Sequence, residues 1–168
     1  MYSTMNLNQY SALLGKCWTN YNLLETIIRV YLMKYNNQSD KGLNVEEGEI
    51  CEETYLTNYM TFGQLLKKFN EAVPEDFKIN DGGTILRFRD SMAHGRMITF
   101  NGTPVTVYKY SQPKPKSSVV KLEIKQQLSE DYLKQIEWKL NYTVIVTRKA
   151  LSLLNKSLRP NQALKLTE

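Results

Sequence analysis

Two long stretches with apolar residues at helical spacing, one near each end of the chain, restrict the fold most. In residues 9–35 the apolar positions recur at intervals of three, four and seven, as on one helix face: Leu14, Trp18, Tyr21, Ile28 and Leu32. A second stretch begins after Ser129, a predicted N-cap, and extends to about Leu158, before Pro160. Two long amphipathic helices predict a mainly helical chain that buries its apolar faces in a bundle.

Shorter elements are predicted between these two helices. Residues 61–72 form a helical pattern with Thr61 as N-cap, and residues 84–94 form another. Gly95 follows directly and is predicted to end that helix in the left-handed conformation. The polar, acidic residues 36–53 are predicted to be a loop or a short helix.

From residue 97 onwards the apolar period changes from 3.6 to 2. The dipeptide Asn101-Gly102 favours a type I′ turn between two strands, and residues 119–126 predict a third strand. The prediction is therefore one domain, residues 1–168, mainly α, with a small antiparallel β insertion at about 97–126 before the last long helix.

Composition indicates a globular protein in a reducing compartment. The 168 residues are 42% hydrophobic and 23% charged, and no apolar run approaches the roughly 20 residues of a membrane helix. Cys17 and Cys51 fit no metal or redox spacing, and the acidic residues at 46–53 match no cation motif. We therefore expect a cytoplasmic protein with no membrane partner, metal or cofactor. The net charge of +5, concentrated in the last third, suits a polyanionic partner.

The chain has one histidine, His94, and three arginines lie close to it: Arg87, Arg89 and Arg96. Histidine is the side chain that ordinarily exchanges protons near neutral pH, and fixed positive charge stabilises a reacting phosphate. RNA supplies its own nucleophile, the 2′-hydroxyl, so this group of residues predicts RNA cleavage without a metal. Ser91 has no orienting acid for a triad, and we assign it, with Arg87 and Arg96, to substrate binding. The alternative is a structural histidine at a helix C-terminus and a plain surface or core-bridging arginine.

The spacing of Arg89 and His94 predicts a dimer. Five residues rotate about 500° on a helix, which leaves the two positions roughly 140° apart. We therefore expect that one chain does not aim both at one phosphate, and that two copies meet across a two-fold axis. A second histidine would then let one imidazole act as base and the other as acid.

The run from Arg89 to Gly95, RDSMAHG, resembles the signature of HEPN domains: arginine, a polar residue, three more residues and histidine. The stretch TFGQLLKKF also resembles members of that family, and the resemblance covers residues 8–158. Some toxin members carry a tyrosine two residues after the histidine, where this chain has Arg96.

The resemblance implies a dimerising helical bundle with a composite active site and metal-independent endoribonuclease activity that leaves a 2′,3′-cyclic phosphate. Such domains often serve as toxins, held by an antitoxin, or in defence against phage. Arg89 would hold the scissile phosphate, His94 would transfer the proton, and Asp90 would orient Arg89 or the substrate. Other members bind nucleotides or RNA without cutting, so a non-catalytic RNA- or protein-binding module is the alternative.

Three further residues have two interpretations each. Glu25 interrupts an apolar run and either pairs with Arg29 one helical turn later or reaches across the bundle to position Arg89. Tyr108 and Tyr110 share one strand face, and they either pack the hairpin or stack on unpaired bases, together with Lys114 and Lys116 of the following basic loop. That loop is otherwise a flexible linker.

Overall fold

The computed structural model describes residues 7–39, 45–99, 105–113 and 118–163, and this part of the chain is mainly helical. The helices are α1 (Leu7–Tyr35), α2 (Phe62–Ala72), α3 (Gly82–His94) and α4 (Glu130–Ala163), with a 3₁₀ turn at Glu75–Phe77. The strands β1 (Arg96–Ile98), β2 (Thr106–Tyr110) and β3 (Leu122–Gln127) lie between α3 and α4 in the chain. The mainly α class with a small antiparallel sheet before the last helix is confirmed.

Local sequence signals begin two of the helices where they were predicted. The Thr61 hydroxyl accepts a hydrogen bond from the Gln64 N–H, and the Gln64 side chain accepts one from the Thr61 N–H at 2.8 Å. This reciprocal pair satisfies two N–H groups that a helix start otherwise leaves unbonded. At the start of α4 the Ser129 hydroxyl accepts a hydrogen bond from the Tyr132 N–H at 3.2 Å.

Two predicted helix boundaries are wrong. Helix α4 continues through Pro160 to Ala163. Proline lacks an N–H, so the carbonyl of Lys156, an exposed residue four positions earlier, has no helical hydrogen bond from residue 160. Helix α3 begins at Gly82 rather than Thr84. The two glycines lie in the first turn, where the N–H groups of any residue lack an intrahelical acceptor. Residues 36–53, where described, form turns without a helix.

The sheet is antiparallel with strand order β1-β2-β3. Arg96 lies opposite Tyr108, and Tyr108 lies opposite Lys125, so these three residues form one row across the sheet. The pairing of β1 with β2 confirms the predicted hairpin. Its Asn101-Gly102 turn lies outside the described residues, as do Lys114 and Lys116 of the basic loop.

The chain divides into two compact units. The first unit comprises Met1–Tyr21 and Gly83–Leu140, and the second comprises Asn22–Gly82 and Asn141–Glu168. The buried apolar residues of the first unit include Cys17, Ile85, Phe88, Val107, Leu128, Leu133, Ile136 and Leu140. Those of the second unit include Leu24, Ile28, Tyr31, Leu32, Phe62, Leu65, Phe69 and Val144. Each unit therefore has a core of its own.

Candidate active site

The last turns of α3 bring Arg89, Asp90 and His94 together in the first unit. Nη1 of Arg89 lies 3.3 Å from Nε2 of His94 and 3.1 Å from Oδ1 of Asp90. The two side chains therefore meet within one chain, while the expectation that one chain does not aim both at one phosphate stays a prediction. A rotation of about 140° separates only the directions in which the two side chains leave the helix. The long arginine side chain bridges that separation across the last turn.

Whether the contact between Arg89 and His94 is a hydrogen bond depends on which imidazole nitrogen carries the proton. A guanidinium has five N–H donors and no acceptor, so a hydrogen bond between the two requires a bare Nε2. In the tautomer that makes this hydrogen bond, Nδ1 carries the proton and Nε2 accepts. His94 is exposed to solvent, and a phosphate that binds Arg89 would release Nε2 to accept a proton from a hydroxyl.

Tyr21 of α1 holds the inner side of Arg89. It is only 2% exposed, it forms a side-chain hydrogen bond with Arg89, and its ring stacks on Trp18 with centroids 5.5 Å apart. Burial lowers the pKa of Arg89, but the hydrogen bonds to Asp90 and Tyr21 more than offset this, and the pKa is raised overall. The guanidinium therefore keeps its charge. Sequence analysis placed Tyr21 on the apolar face of the helix and missed this polar role.

Lys109 of β2 is the second functional residue that sequence analysis missed. Its Nζ lies 3.7 Å from Oδ2 of Asp90 and 3.4 Å from Oε2 of Glu123. Asp90 therefore joins two cations, Arg89 and Lys109, at one carboxylate. The strand pattern could have identified Lys109. Side chains alternate along a strand, so Lys109 shares a face with Val107, which is buried.

Gly95 sets the distance between the end of α3 and the sheet. Its φ is not in the left-handed region, so the predicted left-handed cap is wrong. Its N–H instead donates to the Ser91 carbonyl at 2.8 Å, continuing the helical pattern. A Cβ at this position would overlap Cγ1 of Val107 and the Ser91 carbonyl oxygen. Glycine is required here by close packing immediately beside His94.

The remaining residues assigned to substrate binding lie elsewhere. Ser91 is fully buried, and its hydroxyl donates to the Phe88 carbonyl at 2.8 Å, so a substrate has no access to it. Arg87 is exposed about 200° around the helix from Arg89. Burial raises the pKa of Tyr132 in α4, and the nearby charge of Arg87 partly counteracts this.

Arg96 belongs to the sheet. It is exposed at the start of β1, and its guanidinium lies 5.9 Å from the centre of the Tyr110 ring. Of the three arginines grouped around the histidine in the sequence, Arg89 is the one that the structure places in contact with it.

Glu25 belongs to the second unit and forms the ion pair with Arg29, at 2.9 Å between Oε1 and Nη2. Arg29 also donates to the backbone carbonyls of Tyr55, Asn58 and Met60. This arrangement matches the first interpretation of Glu25, an ion pair along the helix. The interaction has a structural role as well, because it connects α1 with the segment that leads into α2.

An open cleft of about 360 Å³ also lies in the first unit, lined by Ser11, Leu14, Gly15, Trp18 and Met92. None of these side chains is ionisable. Arg89, Asp90 and His94 are therefore not among the residues that line this cleft. Trp18 does line it, and the Trp18 ring stacks on the ring of Tyr21.

Within the described ranges, His, Cys, Asp and Glu side chains form no cluster of three or more that could bind a metal ion. In the same part of the chain, none of the helices combines the length and hydropathy of a membrane span. Comparisons with protein-family models, curated proteins and solved structures find no match to this chain.

Proposed function

We propose that this chain is a HEPN-family endoribonuclease that cleaves RNA without a metal ion, through attack by the 2′-hydroxyl. The observation that carries the proposal is the 3.3 Å contact between the Arg89 guanidinium and the His94 imidazole. The Arg89 side chain is 29% exposed and His94 is exposed, so a phosphate can approach both. A proton-transfer group beside a fixed cation is what phosphate transesterification requires.

The reaction uses each group once. His94 accepts the proton of the 2′-hydroxyl as the 2′-oxygen attacks phosphorus, and Arg89 balances the negative charge that develops on the non-bridging oxygens. The bond from phosphorus to the 5′-oxygen then breaks, and an imidazolium protonates the leaving oxygen. The products are a 2′,3′-cyclic phosphate and a 5′-hydroxyl. In the proposed homodimer, the histidines of the two copies divide the roles of base and acid.

Asp90, Tyr21 and Lys109 are positioning residues in this mechanism. Asp90 and Tyr21 both hydrogen-bond Arg89, which limits the number of conformations available to its long side chain. Lys109 binds the other carboxylate oxygen of Asp90 and so orients that carboxylate. A preoriented guanidinium does not need to reorganise as charge develops on the phosphate.

A fluorophore–quencher RNA oligonucleotide with EDTA present tests the proposal. Cleavage by the unmodified chain should fall by about 10²- to 10⁴-fold in His94→Ala, through loss of proton transfer. It should fall by about 10²- to 10³-fold in Arg89→Ala, through loss of charge stabilisation. Arg148→Ala removes one exposed arginine charge in the second unit and should leave the rate unchanged.

Two controls make this test specific. An oligonucleotide with a 2′-deoxyribose at the cleaved position should stay intact, and mass spectrometry should find the cyclic phosphate on the upstream product. Thermal melting should be nearly the same in His94→Ala and the unmodified chain, because His94 is exposed. Equal cleavage by His94→Ala and the unmodified chain would overturn the proposal.

The second candidate is a module that binds RNA without cutting it. One observation favours it: Arg96 lies over the exposed Tyr110, so residues suited to RNA also occur outside the pair of Arg89 and His94. Binding of the oligonucleotide without cleavage, in the same assay, would identify this module.

The biological role that we propose is a cytoplasmic toxin or antiviral effector whose activity an antitoxin restrains. Expression of the unmodified chain alone should then arrest growth. His94→Ala should relieve that toxicity, whereas Arg148→Ala should not.

A further inference from the structure

The outer face of the sheet carries a second set of residues suited to RNA. We propose that Arg96, Tyr108, Tyr110 and Lys125, here called the outer sheet face, bind unpaired RNA. The choice of RNA as the ligand rests on the proposed function. The arrangement of the four residues on the sheet does not depend on it. The basis is the alignment of two aromatic rings and two cations on one side of one sheet.

The strand register places these residues on a common face. Arg96, Tyr108 and Lys125 are directly opposite one another on β1, β2 and β3, and directly paired residues share a sheet face. The neighbouring residues Val107 and Ile124 are 0% and 8% exposed and form the opposite, inward side. The row of Arg96, Tyr108 and Lys125 therefore faces outward.

Tyr110 extends this row along β2. Tyr110 is 41% exposed, and the guanidinium of Arg96 lies 5.9 Å from the centre of its ring. The ammonium of Lys125 lies 5.8 Å from the centre of the Tyr108 ring. Each cation lies over its ring, near the outer limit of about 6 Å for a cation–π contact, so a base that stacks on the ring replaces that contact. A base can occupy each ring face while the cation moves to the adjacent phosphate.

Charge on this face favours a polyanion. Arg96 and Lys125 are both exposed, and Glu123, the acidic residue of β3, is paired with Lys109. The whole chain carries a net charge of +5. Alternating rings and cations bind single strands, whose bases are free to stack, whereas a duplex hides its base faces.

The outer sheet face is directly connected to the candidate active site. Only Gly95 separates His94 from the first residue of β1, and all three strands belong to the same unit as Arg89 and His94. Arg96, the first residue of the outer sheet face, is therefore two positions along the chain from His94. The inference assigns the substrate class as unpaired RNA rather than duplex RNA.

The test measures binding by fluorescence anisotropy with the full chain carrying His94→Ala, so that the RNA is not consumed. The probe is a labelled unpaired RNA of about twelve nucleotides, within the length range that single-strand-binding surfaces cover. Tyr108→Leu and Tyr110→Leu should each weaken binding by about tenfold, and together by about a hundredfold. Tyr59→Leu alters an exposed tyrosine in the second unit and should leave binding unchanged.

A second pair of variants keeps the test decisive if the tyrosine changes disturb the strand. Arg96→Ala and Lys125→Ala change exposed cations, and each should lower the salt dependence of log Kd by about 0.7 per decade of salt. The inference is overturned if these variants and the tyrosine variants all bind within twofold of their parent, or if the parent prefers a duplex of the same sequence.

Failure of this inference can be separated from failure of the proposed function. If the unmodified chain does not cut RNA while the tyrosine variants lose binding, the nuclease proposal fails and the inference stands. If the chain cuts RNA while the tyrosine variants bind and cut like the parent, the inference alone fails.

Discussion

At the scale of single residues, Gly95 shows how packing rather than backbone conformation can require a glycine. Replacing it with alanine would place a methyl group against Val107 and the Ser91 carbonyl. We expect Gly95→Ala to lower the free energy of unfolding by about 1–3 kcal/mol, as is usual for overpacked sites. The midpoint of thermal unfolding, followed by circular dichroism, should fall by several degrees.

Gly15 provides the matched control for Gly95. It lies within α1, and a Cβ added there meets no atom within 4 Å. Gly15→Ala should therefore raise the free energy of unfolding by about 0.5–1 kcal/mol, because alanine favours a helix interior. Equal effects of the two substitutions would contradict the packing role of Gly95.

The residues of the candidate site were predictable to different degrees. Arg89, Asp90 and His94 are close in sequence, so the motif identified them together. Their contact was not predictable from helix geometry, since the reach of the arginine side chain determines it. Tyr21 lies 68 positions before Arg89 in the sequence, and no local pattern connects a residue of α1 with one of α3.

At the scale of secondary structure elements, Arg29 connects α1 with residues 55–60 of the same unit. The Arg29 side chain is 15% exposed and donates to the Glu25 carboxylate and three backbone carbonyls. Arg29→Met keeps much of the length but leaves these acceptors unsatisfied. We expect a loss of roughly 3 kcal/mol or more in the free energy of unfolding, measured by urea denaturation.

Two variants calibrate the effect of Arg29→Met. Glu25→Gln keeps an acceptor for Arg29 and removes only the ion pair, so its loss should be about 1 kcal/mol. Arg148→Met changes an exposed arginine and should stay within about 0.5 kcal/mol of the unmodified chain. If Arg29→Met were no more destabilising than Arg148→Met, the connecting role would be wrong.

Elements were predictable where the determining interactions are local. The N-caps Thr61 and Ser129 each bond to a residue three positions later, and both were predicted at the correct residue. Residues 144–146 are β-branched, which lowers helix propensity, yet α4 includes them. Val144 is buried, so packing outweighs its lower helix propensity.

At the scale of the whole molecule, the division into two units could not be found in the sequence. Each unit is assembled from two separate segments, and the divisions fall within α1 and α4 or at the start of α3. Because the divisions fall within helices or at a helix start, no linker rich in Gly, Pro or Ser marks them. The composition of the chain therefore shows no domain boundary. The single domain predicted for residues 1–168 was based on the absence of such a boundary, and it stays a prediction.

The proposed homodimer leads to a prediction about stoichiometry. Because Arg89 and His94 meet within one chain, a dimer is not needed to unite them. It is needed, in our mechanism, to supply a second imidazole, since each chain has one histidine. We therefore consider mixtures of unmodified and His94→Ala chains under conditions that exchange subunits. The activity of the mixture should fall faster than the fraction of unmodified chains.

In an equal mixture, about one quarter of the dimers contain two unmodified chains if pairing is random. If catalysis needs both histidines, activity should be about one quarter of the unmodified value, and it should follow the square of the unmodified fraction throughout the titration. A linear decline would mean that one imidazole serves as both base and acid, and the two-histidine mechanism would be wrong. Mixing Arg89→Ala with His94→Ala should restore no activity, because neither chain retains the complete pair. Recovery in that mixture would show instead that the arginine and histidine of each site come from opposite chains.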